Sequence, residues 1–147
     1  MIKILELFNN PVPFRVDHTR KDVFEAHFIV KDVSYTFFAV SPSANPNKKG
    51  WDIVFRLDSK SQVKGLSHYG ITNTGNSVIV FSTVASILKL FLKDYKPEKF
   101  QFDAEGEPSR FKLYALFAHE ISKLDPHYEL SKIKRMESIT VFLFRRK

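Results

Sequence analysis

Cysteine is absent from this chain of 147 residues, and so are long apolar runs. Without cysteine there is no disulfide bond, no thiolate metal site and no thiol nucleophile. No apolar run approaches the roughly 20 residues that a membrane-spanning helix requires, so we expect no membrane partner. Residues 1–8 lack the charged region, apolar stretch and cleavage site of a secretory signal. We therefore expect a soluble, cytoplasmic protein.

Several motifs with a known chemistry are also missing. The sequence has neither a Walker A nor a Rossmann glycine pattern, and its serine, histidine and aspartate residues suggest no nucleophile elbow. His119 and Glu120 lack the second histidine of a zincin helix, and the other histidines show no ligand spacing. The carboxylates of Asp103, Glu105 and Glu107 are not followed by the lysine common in metal-dependent nucleases, which favours a solvated loop. We therefore expect no bound metal.

Positive charge is in excess, with a formal net charge of +7. Such a field raises encounter rates with phosphates and acidic surfaces, so we expect an anionic ligand or partner. Between residues 132 and 147 there are six basic residues and a single acidic one, Glu137. Two interpretations of this segment stay open. It is either a charged edge strand that discourages pairing with other chains, or a surface that binds a nucleotide cofactor or nucleic acid.

Residue periodicity predicts an α+β fold in a single domain that covers residues 1–147. Alternating apolar and polar residues predict an antiparallel pair of strands within residues 23–40, joined by a hairpin turn at residues 31–34. A third strand is predicted at residues 51–58. Residues 66–71 are a candidate fourth strand.

The second half of the sequence changes to helical spacing. Apolar residues recur at intervals of three and four between Asn76 and Tyr95, which predicts a helix buried on most sides. A short strand at residues 100–104 precedes a second helix, whose first turn suits Pro108. Residues 127–146 then read as a closing pair of strands. The element order is βββ(β)αβαββ, a mainly antiparallel mixed sheet that carries two helices.

This order resembles the last two-thirds of the GNAT acetyltransferases. In that family a Gln/Arg-x-x-Gly-x-Gly/Ala turn after a central strand binds the coenzyme A pyrophosphate at a helix N-terminus. The corresponding stretch is Thr72-Asn73-Thr74-Gly75-Asn76-Ser77, which keeps the middle glycine. The resemblance implies acetyl-CoA as the cofactor and assigns its binding to the following residues: Thr72, Thr74, Gly75, Asn76 and Ser77.

The second predicted helix adds to the resemblance. The family carries Leu-Tyr-x-x-x-Gly-Phe there, and residues 113–119 keep Leu113 and Tyr114 but lose Gly-Phe. Because the family's tyrosine protonates the departing thiolate, the resemblance assigns this catalytic role to Tyr114. The alternative is a core aromatic residue with a satisfied hydroxyl. Arg110 is a further cofactor-binding candidate, or it pairs with a neighbouring carboxylate.

Two classes of function stay open. Residues 1–21 are too few for the first strand and the two helices that line the acceptor pocket in the GNAT family, which leaves enzymatic activity undecided. The chain is either a GNAT-like acyl-CoA-binding protein, such as an N-acetyltransferase with reduced or lost activity, or a non-catalytic module. Such a module would use its basic C-terminal face to bind nucleic acid or a host or virion protein.

Two short motifs carry a second resemblance. Residues 80–84 and 109–114 are similar to stretches that recur in small proteins of tailed phages. The likeness implies no function, but for a phage protein it implies a location in the host cytoplasm.

Overall fold

The computed structural model describes residues 11–41, 50–57, 77–105, 108–137 and 139–147. The strands in these ranges are β1 (Phe14–Thr19), β2 (Val23–Val30), β3 (Val33–Val40), β4 (Trp51–Leu57), β5 (Lys99–Glu105), β6 (Tyr128–Arg135) and β7 (Ile139–Arg146). The helices are α1 (Ser77–Tyr95), between β4 and β5, and α2 (Pro108–Leu124), between β5 and β6. The predicted α+β class is therefore confirmed.

The strands form one mixed sheet in the order β1-β2-β3-β4-β5-β7-β6. Neighbouring strands are antiparallel except β4 and β5, which run parallel and are joined through α1. Phe24 in β2 contacts α1, and Phe102 in β5 contacts α2, from the same side of the sheet. Both described helices therefore lie on one side, as two right-handed crossovers in the same direction require. We call this side the helix face and the opposite side the outer face.

Helix α1 is buried on most sides, as its apolar spacing predicts. Its buried apolar side chains are Val80, Phe81, Val84, Ala85, Ile87, Leu88, Phe91 and Leu92. Neither described helix is long and apolar enough to cross a membrane. At the carboxyl end of α1, the ring centroid of Tyr95 lies 5.2 Å from that of Trp51, the first residue of β4. The amino end of α1 consequently lies at the other end of β4, where β4 and β5 finish.

The predicted hairpin between β2 and β3 is confirmed. Val30 pairs with Val33, which leaves a two-residue turn at Lys31 and Asp32. Both turn residues have positive φ, 47° and 68°, as a type I′ turn requires to match the twist of the strands it joins.

The strand β1 is not among the predicted elements. Residues 1–21 were expected to be too short for a first strand and two helices, yet residues 14–19 form an edge strand that pairs with β2. The connection from β1 to β2 is residues 20–22, closed by a 2.8 Å hydrogen bond from the Arg20 amide to the Val23 carbonyl. It leaves no room for helices between these strands. The candidate strand at residues 66–71 lies outside the described residues.

Candidate functional site

The sheet divides at its centre, between the parallel strands β4 and β5. Their ladder consists of two residue pairs, beginning at Trp51 and ending at Asp52↔Gln101. β4 nevertheless pairs with β3 as far as Leu57, and β5 pairs with β7 as far as Glu105. The two strands therefore separate toward their carboxyl ends, each held by its own half of the sheet. We call the space between them the gap.

Both helices begin at the open end of the gap. α1 runs back from that end, and α2 starts at Pro108, directly after β5. The first turn of a helix carries backbone N–H groups without helical partners and the positive end of its dipole. Neither first turn contains an acidic residue that would compete for these donors. Crevices at the carboxyl ends of parallel strands are also where open sheets bind ligands, so the geometry suits a phosphate-bearing molecule.

Three predicted site residues lie on the helices at this end. Ser77 is the first residue of α1, Arg110 lies in the first turn of α2, and Tyr114 lies in the second turn of α2. The structure thus places these three backbone positions in the first two turns of α1 and α2, while their side chains are outside its described part. The remaining predicted residues also fall outside the described ranges: Thr72, Thr74, Gly75 and Asn76.

Aromatic packing fixes the two helices relative to β5 near the gap. The Phe117 ring of α2 lies 5.2 Å from the Phe81 ring of α1 and 5.7 Å from the Phe102 ring of β5, between centroids. All three side chains are buried. The amino ends of α1 and α2 are therefore held by core contacts, which keeps their N–H groups aligned before any ligand arrives.

A second feature lies at the opposite end of the helices. A cleft of about 430 Å³ opens between the carboxyl ends of α1 and α2, the start of β6 and the end of β7. Its cationic lining residues are Lys89, Lys93, Lys96 and Arg146. Asp125, which also lines it, is paired with His127 at 2.9 Å between Oδ1 and Nδ1. We call this feature the basic cleft.

Only part of the basic cleft is visible as an anion site in the sequence. Arg146 belongs to the predicted basic segment, and its guanidinium lies 5.9 Å above the Tyr128 ring. Lys89 and Lys93 were not predicted, although residues four apart lie on one side of a helix. Lys96 follows directly after the end of α1, so helical spacing alone does not place it beside them.

The predicted basic segment at the C-terminus is divided by the structure. Lys132, Lys134 and Arg135 lie exposed on β6, an edge strand of the sheet, where charge discourages pairing with other chains. Arg145 pairs with Glu129 at 3.1 Å between Nε and Oε1. Arg146 is thus the residue of this segment that joins the basic cleft.

No model of a known protein family matches this chain, and no curated protein matches it. Its function has to be inferred from the gap and the basic cleft.

Proposed function

We propose that this chain is a GNAT-like domain that binds an acyl-CoA at the gap between β4 and β5. The observation that carries the proposal is the early separation of these two parallel strands, with both helices beginning at the open end. The order β4-α1-β5-α2-β6-β7 also agrees with the element order on which the GNAT resemblance depends.

The chemical groups of coenzyme A match the backbone groups at the open end of the gap. Its pyrophosphate is anionic and matches the free N–H groups and the dipole of a helix N-terminus. Its pantetheine arm is an extended chain with amide groups, which can hydrogen-bond to a strand edge as an added strand does. The edge of β4 that faces β5 is not paired with it beyond Asp52. The gap therefore offers a match for both parts of the cofactor.

Binding is better supported than catalysis. In an N-acyltransferase, a substrate amine attacks the thioester carbonyl, an amide forms and the thiolate of coenzyme A leaves. Tyr114, in the second turn of α2, is our candidate for protonating that thiolate. However, the connection between β1 and β2 is residues 20–22, so the two helices that line the acceptor pocket of GNAT enzymes have no counterpart there. We accordingly propose that acetyl transfer is reduced or lost.

Calorimetric titration with acetyl-CoA at two salt concentrations tests this proposal. We expect binding near the micromolar range and at least a tenfold loss in Gly75→Glu, because a carboxylate at the proposed turn repels the pyrophosphate. Gly50→Glu is the matched control. A Cβ at Gly50 meets no atom within 4 Å, so this variant makes the same charge change away from the gap and should bind normally. Absence of binding by folded wild-type protein would reject the proposal.

The basic cleft supports a second candidate function, binding of nucleic acid. Lys89 and Lys93 of α1, Lys96 directly after α1 and Arg146 of β7 converge on it. Lysine and arginine neutralise phosphates and release their counterions, which makes such binding strongly dependent on salt. A single strand would bring several phosphates to this end of the fold.

Titration of a fluorescent single-stranded DNA at several salt concentrations tests this candidate. A plot of log K against log salt has a negative slope, and each phosphate contact contributes about 0.7 to its magnitude for single strands. Replacing Lys93 and Lys96 by glutamate should therefore make the slope less steep by about 1.4. Lys31→Glu with Lys134→Glu is the control, because both lysines are exposed and lie at the opposite end of the strands from the cleft, Lys31 in the β2–β3 turn and Lys134 near the end of β6. Equal losses in the two double variants would show a general charge effect and would eliminate the cleft as the site.

A further inference from the structure

A group of side chains suited to a metal ion lies on the outer face, at the edge of the sheet formed by β1 and β2. The His27 Nε2 atom is 2.9 Å from Oδ2 of Asp17 and 3.1 Å from Oε2 of Glu25. One ligand atom from each residue lies within 4.8 Å of the other two. The side chains are 25%, 25% and 18% exposed for His27, Asp17 and Glu25, so the group is partly buried and accessible to solvent. We call it the outer-face cluster.

Local strand geometry brings these residues together. Glu25 and His27 are two apart in β2, and alternate residues of a strand lie on the same face. Asp17 is the extra residue of a β-bulge, since the β1–β2 register shifts between Val16 and His18. A bulge changes the direction of a side chain relative to regular pairing. Alternation from Arg15, the partner of His27, puts Asp17 on the outer face, and the bulge leaves it beside its two partners without a residue directly opposite.

Thr36 holds the histidine ring in place. It lies directly opposite His27 in the β2–β3 register, and its hydroxyl is hydrogen-bonded to Nδ1 at 2.9 Å. Thr36 is only 2% exposed, so this contact is shielded from solvent. Metal-binding histidines almost always have their second ring nitrogen fixed by such a partner. With Nδ1 engaged, Nε2 is the ring atom that faces both carboxylates.

Arg15 is the competitor for one of the ligands. Its Nε is 2.6 Å from Oδ1 of Asp17, and its Nη2 is 3.2 Å from Oδ2. The Arg15 side chain is 75% exposed, and ion pairs of exposed side chains contribute little, about 0–1 kcal/mol. A divalent ion can therefore displace Arg15 from Oδ2 at small cost.

We propose that Asp17, Glu25 and His27 bind a divalent first-row transition ion such as Zn²⁺ or Mn²⁺. Nitrogen and oxygen ligands lie about 2.0–2.2 Å from such an ion, which puts neighbouring ligands about 2.9–3.4 Å apart. The two distances from Nε2, 2.9 and 3.1 Å, fall in this range. A set of one imidazole and two carboxylates suits Zn²⁺ and Mn²⁺ better than it suits Ca²⁺ or Mg²⁺. The site is independent of the acyl-CoA proposal, because two strands separate β2 from the gap.

Titration of the full chain, without a polyhistidine tag, with Zn²⁺ tests this inference. We expect one site, at least tenfold weaker binding in His27→Gln, and the affinity order Zn²⁺ above Mn²⁺ above Mg²⁺. His127→Gln is the matched control, because His127 pairs at 2.9 Å with the single carboxylate of Asp125. It should bind Zn²⁺ as the wild type does. No Zn²⁺ binding by the folded wild type, or unchanged binding in His27→Gln, overturns the inference.

Two further measurements do not depend on the stability of His27→Gln. In the wild-type protein, Mn²⁺ should broaden amide NMR signals of β1, β2 and β3 around His27 more than those of β6 and β7. Broadening centred elsewhere contradicts the assignment. Thr36→Val removes the hydrogen bond to Nδ1 but no ligand, and loss of a partner that orients a ligating histidine weakens metal binding about 10- to 100-fold. Unchanged Zn²⁺ affinity in this variant would exclude a positioning role for Thr36.

Discussion

Replacing Phe91 by alanine should lower the free energy of unfolding by about 3–5 kcal/mol. The Phe91 ring is fully buried and lies 5.6 Å from Phe24, 5.1 Å from Trp51 and 5.1 Å from Tyr95, between centroids. The variant loses the transfer free energy of the ring and leaves a cavity walled by other rings, which relax only partly. Because a domain is stable by about 5–15 kcal/mol in total, we expect a large fall in the denaturation midpoint.

Urea denaturation measures this effect through tryptophan fluorescence. The chain has one tryptophan, Trp51, in direct contact with Phe91, and far-UV circular dichroism supplies a second probe. Ile29→Ala is the control, because Ile29 lies on the outer face and is 63% exposed. Its stability should change by less than about 0.5 kcal/mol. Similar midpoints for the two variants would contradict the assigned core.

The Phe91 contacts also fix the carboxyl end of α1 on the half of the sheet that contains β4. The β4–β5 ladder is only two residue pairs long, and Trp51 is in the first of them. Phe91 and Tyr95 contact Trp51 from the helix face, and the Tyr95 hydroxyl donates to the Arg20 carbonyl at 2.6 Å. The link to the other half of the sheet lies nearer the amino end of α1, where Phe81 contacts Phe117 of α2 and Phe117 contacts Phe102 of β5. The helices therefore supplement the short β4–β5 ladder in holding the two halves together.

Elements with strong local patterns could be predicted from the sequence. The apolar spacing of α1 and the alternation of β2 and β3 are more regular than the sequences of loops. Lys31 and Asp32 mark the turn between β2 and β3. β1 is harder to predict from the sequence, because the bulge at Asp17 interrupts its regular pairing and Pro11 and Pro13 precede it. The sheet order and the separation of β4 from β5 depend on pairings between distant residues. Such pairings leave no local signal.

Of the candidate sites, too, only the parts with a local sequence pattern could be predicted. Tyr114 and Arg110 stand in a recognisable motif, so their helix and turn could be predicted, whereas the outer-face cluster could not. Glu25 and His27 show a visible spacing of two, but Asp17 is brought to them by the pairing of β1 with β2, which leaves no local signal in the sequence. The sequence therefore predicts no metal, because the proposed ligands lie on two strands.

Alkaline pH should destabilise the protein by about 2–3 kcal/mol between pH 10 and 12 through Tyr128 alone. The Tyr128 hydroxyl donates to the Pro97 carbonyl at 2.6 Å and is buried. Burial raises the pKa of Tyr128 to about 12, although Arg146 acts in the opposite direction. In the unfolded chain a tyrosine has a pKa of about 10. Between these values the folded state retains a proton that the unfolded state has lost, so stability is complete below pH 10 and declines as pH rises.

Tyr128→Phe separates this effect from the other groups that titrate at high pH. The variant leaves the Pro97 carbonyl without its donor, so at pH 7 it should be less stable by about 1–3 kcal/mol. It should nevertheless lose less stability than the wild type from pH 10 to 12, as judged by urea midpoints at each pH. Burial also raises the pKa of Tyr35 and Tyr95, and both proteins share their contribution. The difference between the two curves therefore reports Tyr128, and parallel curves would show that its phenol is not buried in the wall of the basic cleft.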